Sequence, residues 1–420
     1  MRTSALLLLT ILAASPTLAR AQSSDLPTAS EGEQRQLFAG IKNERAFAND
    51  AESAEIMEAA AARPIRYWIR GEYLIWFIKS PRVPTVITQG EFTDRPSPGA
   101  LGAFGTMPQF GGLRYRGRDG ARFTAGHWLD DEQLFGVEIS YFFTAGRTIS
   151  QSLSSPGNPV LAKPFFNVNT GRQDAALITY PGISSGSISG ETQSFLQGAE
   201  ANLDLNLWQT EHCKIEALAG FRWLNLNERV GLGSISVVDI APQFAGQGLR
   251  FDGNTITVRD RFDALNHFYG GQLGGRVEWS RKRFTLGLTG KVALGVTHEM
   301  VRIRGATTID TAPATNANAG VYALSSNSGR FSSSSFAVVP ETGATLKFQI
   351  TERLGLFGGY SFLYWSRVAR PADQIDTNIN PNLIPTSSTF GAGGPNQPAF
   401  RFRHGDFYAH GANFGLELRF

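Results

Sequence analysis

Between residues 66 and 420, apolar and polar side chains repeatedly alternate with a period of two. RYWIRGEYLIWFI (66–78) sets Tyr67, Ile69, Tyr73, Ile75 and Phe77 on one side and Arg70 and Glu72 on the other. LFGVEISYFF (134–143) sets Phe135, Val137, Ile139, Tyr141 and Phe143 against Gly136, Glu138 and Ser140. The same rhythm runs through ARFTAGHW (121–128), QGAEANLDLNLW (197–208), KIEALAGFRWLNL (214–226) and HFYGGQLGGRVEW (267–279). It continues in FTLGLTGKVALGV (284–296), FAVVPETGATLKFQI (336–350) and LGLFGGYSFLYW (354–365), and DFYAHGANFGLELRF (406–420) ends the chain. Successive side chains of a strand point to opposite faces, so each segment predicts a strand with one apolar and one polar side. These are about ten segments of about ten residues, the length a tilted strand needs to cross a bilayer.

A soluble sheet with one wet face alternates in the same way, so the connections decide. Short ones at 130–133, 210–213, 280–283 and 351–353 alternate with long ones at 80–120, 146–191, 228–266, 304–335 and 368–405, rich in Gly, Ser, Asn and Pro. Connections that long are uncommon in compact soluble domains. Short turns at one rim and long loops at the other are the pattern of a transmembrane barrel, with the turns periplasmic and the loops extracellular. The expected fold is therefore all-β: an antiparallel transmembrane β-barrel of about 10 strands (range 10–12) over residues 66–420. Hydrocarbon offers no partner for unpaired strand edges, so the first strand should pair with the last.

The start of the chain agrees with export. Arg2, the apolar run ALLLLTILAA (5–14) and Ala19-Arg20-Ala21 have the form of a signal peptide cleaved after Ala21, with Ala19 and Ala21 as the small residues of the cleavage site. Residues 22–65 are polar and Ala/Glu-rich, and are expected to be a periplasmic segment, partly helical or disordered. The expected location is the bacterial outer membrane, with lipid as the surrounding partner. Phe420, in register with Phe414, Leu416 and Leu418 on the apolar face, is the expected signal to the barrel-assembly machinery.

Composition narrows the chemistry. Only 18% of residues are charged and the net charge is +3, which gives no argument for a nucleic-acid partner. A single cysteine, Cys213, leaves no intramolecular disulfide. His127, His212, His267, His298, His404 and His410 are scattered without metal-ligand spacing, and GLTGKV (287–292) lacks the upstream glycine of a phosphate loop. No catalytic residue, cofactor or metal is expected.

With those residues in view, the chain resembles the beta-barrel porin-7 type of outer-membrane barrel. The stretches that carry the likeness are GEYLIWFI (71–78), ARFTAGHWLDD (121–131), GVEISYFF (136–143), LAGFRWLNLNE (218–228), DRFDALNHFYGGQLGGRVE (260–278), KVALGVTHE (291–299), FAVVPETG (336–343) and GYSFLYWSRVARPADQID (359–376). The resemblance covers nearly the whole chain from Tyr67 onward and implies a porin. It supplies no site residues.

The polar faces place Arg70, Glu72, Glu138, Glu200, Asp204, Glu216, Arg222, Arg276, Glu278, Lys291, Glu341 and Lys347 toward the lumen. They form either a mutually paired network or the lining of a selective pathway. Eight strands leave room only for side chains and sixteen leave an aqueous channel. Ten strands with Trp68, Trp76, Phe357 and Trp365 pointing inward favour a filled lumen. The expected function is a porin-like barrel, at most a narrow channel for small solutes or ions. The alternative is a structural or surface-interaction barrel acting through its long loops, with no open pore and with loop partners that the sequence does not name. A third reading places an activity on Asp373 and Asp376, whose bland role is to shape a turn. Arg367 and Arg370 beside them would bind lipid phosphate or pair with those aspartates.

Overall fold

The computed structural model describes residues 66–112, 116–241, 243 and 251–420. The expected signal peptide, with Ala19 and Ala21, and the segment 22–65 lie outside the described residues. Ten strands make the wall: β1 (Tyr67–Ile78), β2 (Arg118–Trp128), β3 (Phe135–Thr144), β4 (Ser184–Gln209), β5 (Cys213–Val238), β6 (Thr255–Arg281), β7 (Phe284–Ile309), β8 (Gly329–Gln349), β9 (Leu354–Ala369) and β10 (His404–Arg419). Each pairs antiparallel with its neighbours in sequence. β10 returns to β1, from Trp68↔Arg419 to Ile78↔Ala409, and closes the ring. Backbone bonds from Tyr67 N to Phe420 O (2.8 Å) and from Phe420 N to Tyr67 O (3.0 Å) finish the seam.

The short connections 129–134, 210–212, 282–283 and 350–353 gather at the rim that carries Tyr67 and Phe420. Above that rim the wall is taller than the sequence pattern predicts. β4, β5, β6 and β7 run for 26, 26, 27 and 26 residues, not about ten. The expected loops 228–266 and 304–335 shrink to 239–254 and 310–328. The reason is an inversion of polarity along each strand. On β7 the exposed outer residues are first Phe284, Leu286, Leu288, Val292, Leu294 and Val296, then His298 and Arg304, while Val301 and Ile303 are buried inside. The lower wall has lipid outside and polar groups inside; the upper wall has water outside and an apolar core inside.

That core is made by the loops. Short strands Ile87–Gly90, Met107–Phe110, Val160–Asn167, Arg172–Leu177 and Asn378–Ile379 form a second sheet. Val86, Ile87, Phe110, Leu161, Phe165 and Tyr322 from the loops pack with Ile188, Val230, Leu232, Val258, Phe262, Val301 and Ile303 of the wall. The expected long loops thus exist, but they fold inward and fill the barrel's outer end.

Candidate functional site

The ring interior is stacked in three layers, each set by which residue types the inward register supplies. Nearest the turns lies the charged layer. All twelve charges expected on the inner face are buried or half-buried there. Arg222 binds both Glu200 and Glu341, the latter at 2.5 Å, and Lys291 reaches Glu200 at 2.5 Å and Glu341 at 3.7 Å. Arg276 bridges Glu138 (3.0 Å) and Glu216 (3.1 Å), with Lys214 on Glu216 at 2.7 Å. Lys347 meets Glu417 at 3.0 Å, beside Arg70 and Arg419. Asn413 donates to Glu72 at 2.8 Å. Glu278 lines a cavity of about 60 Å³ beside Arg70, Arg276 and Lys347.

Beyond Lys214 and Arg419 at its turn-side edge, two further members of this layer were missing from the sequence reading. Arg122 joins Glu341 at 3.3 Å, and Glu417 collects three cations. Both alternate with outward apolar neighbours, Phe123 and Leu416, so counting the register through β2 and β10 would have found them. Asp204 stands apart: it is 1% exposed, and neither carboxylate oxygen meets a donor among the described residues. Asn202 Nδ2 and Gln272 Oε1 are likewise unmatched, the kind of buried group that ordered water satisfies.

The second layer is apolar. Leu74, Trp76, Phe142, Leu196, Leu224, Phe268, Val339, Leu363, Trp365 and Phe407 form one buried cluster directly above the charges. Trp365 Nε1 donates to Thr297 Oγ1 at 2.9 Å, and Phe268 meets the Trp365 ring edge-on at 6.1 Å. Trp68 crosses the layer below, where it is possible only because Gly126 faces it: a Cβ at Gly126 would overlap the indole.

The third layer is the loop core, fastened at Asp260. Its Oδ1 accepts the backbone N–H groups of Val321 (2.8 Å), Tyr322 (2.8 Å) and Ala323 (2.9 Å). Its Oδ2 accepts Lys163 Nζ at 3.0 Å, and Tyr322 Oη donates to Pro164 O at 2.8 Å and to Val86 O at 3.2 Å. One carboxylate therefore ties down two loops directly, and the Tyr322 it holds in place reaches a third. A second tie corrects an expectation: Arg370 is not on the outer surface but buried, binding Glu228 at 2.8 and 2.6 Å and the carbonyls of Lys79 and Ser80. Asp376 accepts from Asn378 N at 3.0 Å, Asn378 Nδ2 at 2.8 Å and Ala399 N at 3.3 Å, which builds a turn. Asp373 lies in the 3-10 turn Ala372–Gln374.

Outside the ring, Phe414, Leu416, Leu418 and Phe420 are each about half exposed on the outer face. A largely apolar groove of about 610 Å³ between Ile69, Phe123, Ile139, Tyr141 and Phe221 also opens outward, toward hydrocarbon, and Glu200 of the charged layer is among its lining residues.

Among curated proteins, none matches this chain. Among solved structures it is similar to the outer membrane protease OmpT from Escherichia coli, at 8% identity and TM-score 0.40, over 85% of this chain and 97% of that one. It is also similar to the P. putida toluene transporter TodX, at 8% identity and TM-score 0.19, over 84% of this chain and 89% of that one. Likeness at that level carries no argument about activity. The family model for beta barrel porin-7 matches residues 68–420, the whole ring from Trp68 to the terminal Phe420. The chain therefore belongs to the beta barrel porin-7 family, porin-like β-barrels of the bacterial outer membrane.

Proposed function

We propose that this barrel is closed to solutes and that its work is done at the loop-built outer end, as a structural or surface-interaction protein. What supports closure is the sequence of three filled layers: paired charges, an apolar belt with Trp76 and Trp365 at 0% exposure, and a loop core tied to Asp260. An ion entering from the turn side would have to leave the charged layer through a belt built mainly of apolar side chains, a step opposed by several kcal/mol of desolvation. In this reading the twelve lumen charges are a framework that holds ten strands in register. The test is solute efflux from liposomes containing the refolded protein. Retention of small sugars and salts supports closure; release at rates typical of an open barrel contradicts it.

A second reading keeps a narrow conduit. It is favoured by the unmatched polar atoms of Asp204, Asn202 and Gln272 and by a cavity of about 250 Å³ at the turn-side mouth, between Trp68, Trp128, Lys214 and Arg276. These features lie in the lower half of the lumen, on the turn side of the apolar belt.

The chain is exported by a signal peptide cleaved after Ala21, and 22–65 is a periplasmic segment. The outward Phe414, Leu416, Leu418 and Phe420 present the last strand to the assembly machinery. The barrel is non-enzymatic: Asp376 is committed to its turn, which removes the partner that Asp373 would need.

A further inference from the structure

The outer wall above the bilayer carries one concentrated charge feature. Following the pairing registers outward along β5–β8, the lateral row Trp223, Tyr269, Val296 and Phe336 ends the apolar belt. Three residue pairs further up, Arg229, Asp263, Arg302 and Arg330 share a row, with Arg261 beside Arg304 in the next and Arg259 in the one above. Strand and residue spacings make this patch about 14 Å wide and about 13 Å tall. Below the patch on β8 the outer residues Ser332 and Ser334 are neutral, and beside it on β4 stand Gln193 and Glu191.

Six arginines face two carboxylates. Asp263 takes Arg229 at 2.8 Å, Arg261 at 2.9 Å and Arg304 at 3.3 Å, and Glu191 lies beside Gly231. One carboxylate thus gathers three guanidinium groups and neutralises one of them. Burial opposes charge on Asp263, but hydrogen bonds from Arg229 and Arg261 outweigh it and hold its carboxyl below the ordinary value, so this fixed arrangement persists at neutral pH. Arg259, Arg302 and Arg330 make no ion pair among the described residues. A solvated wall needs only scattered charges of either sign, and lysine serves there as well as arginine. All six cations here are arginines, the side chain whose planar fork matches phosphate oxygens two at a time.

Height selects the ligand. Asp263 lies six residues beyond Tyr269, about 20 Å along the strand and about 15 Å above the aromatic belt at a tilt of about 40°. A phospholipid phosphate stays within an interfacial layer of about 5–8 Å, too low to reach the patch. A glycolipid with phosphates on a projecting sugar headgroup reaches it while its acyl chains pack on the apolar belt below. We propose that Arg229, Arg259, Arg261, Arg302, Arg304 and Arg330 form a binding site for the phosphorylated sugar headgroup of an outer-leaflet glycolipid. The site rests on the outer-membrane placement and not on whether the lumen is closed.

The experiment titrates the refolded full chain in detergent with four probes: phosphorylated lipopolysaccharide, the same lipid after dephosphorylation, phosphatidylglycerol and inorganic phosphate. The phosphorylated glycolipid should bind the wild type and lose at least about tenfold in affinity to the triple variant Arg261→Gln/Arg302→Gln/Arg304→Gln, with heat-modifiable gel mobility reporting the fold. Should the triple variant not fold, Arg259→Gln/Arg330→Gln, which breaks no ion pair, carries the test with an expected several-fold loss. Unchanged affinity in the folded variant overturns the proposal. So does equal binding of the dephosphorylated lipid or of phosphatidylglycerol, and tight binding of inorganic phosphate alone would mean an anion site with no lipid role.

Discussion

Lys163 and Asp260 meet at 3.0 Å with both side chains wholly buried, inside the outer end of the barrel and between a loop and the wall. Removing one partner of such a pair leaves an uncompensated charge and costs about 3–5 kcal/mol. Here the cost can be relieved locally, because Asp260 holds loops and not neighbouring strands. Asp260→Asn should therefore release the loops while the wall stays intact. Hydrogen exchange at 160–167 and 319–324 should accelerate by orders of magnitude, with gel mobility of the folded barrel unchanged.

Gly320 gives an independent handle on the same tie. A Cβ at that position would overlap Asp260 Oδ1, so Gly320→Ala should loosen the loop 310–328 much as Asp260→Asn does. Gly253→Ala, where a Cβ meets nothing but φ is +73°, should strain only its own turn. Limited proteolysis of the two variants separates these outcomes.

The apolar belt should carry a large share of the stability. Trp365 is wholly buried and also satisfies Thr297, so Trp365→Ala is expected to cost about 3–5 kcal/mol in urea unfolding. Phe362, next but two along the same strand and 39% exposed on the lipid side, should cost much less when changed to alanine.

In the charged layer, Glu341 faces Arg122, Arg222 and Lys291. Glu341→Gln should destabilise the barrel by about 3–5 kcal/mol, because buried cations lose their counter-charge. The exchange Lys291→Glu/Glu341→Lys should recover none of that loss, since it sets a lysine against Arg122 and Arg222 and a glutamate against Glu200. A lining that only selects ions would show a changed selectivity and little change in stability.

Asp263 predicts a pH dependence for the upper wall. Its carboxyl titrates below the ordinary 3.8, opposed by burial but held by its arginines. A depressed folded value means that its contribution is present above the ordinary value and lost as pH falls through the folded one. Hydrogen exchange at the outer ends of β5–β7 should rise in that acidic window. Asp263→Asn should abolish the rise.

Much of this was legible in the sequence, and the gaps share one physical cause. The lower wall announced itself through outward Ile69, Tyr73, Ile139 and Phe414 against inward Arg70, Glu138 and Glu341, because lipid and lumen impose opposite polarity. The upper wall was hidden because the sign reverses where lipid gives way to water. RVGLGSISVV (229–238) starts with Val230 and Leu232 inward and then turns Ile235 and Val237 outward, so its polarity keeps no single sign, and it read as loop. Arg370 misled for a related reason: a charge in a loop looks exposed until the loop itself is found folded inward onto Glu228. The Asp260 tie had no local signature, since its partners lie about sixty and about a hundred residues away and only the ring brings them together.

The claim that three layers seal the lumen is tested most directly by single-channel recording of the refolded protein in a planar bilayer, with wild type beside Lys291→Glu. The account predicts silence from both, in protein shown to be folded by its gel mobility. Steady openings in the wild type, with an ion selectivity that shifts in Lys291→Glu, would contradict it and restore the charged layer as the lining of a pore.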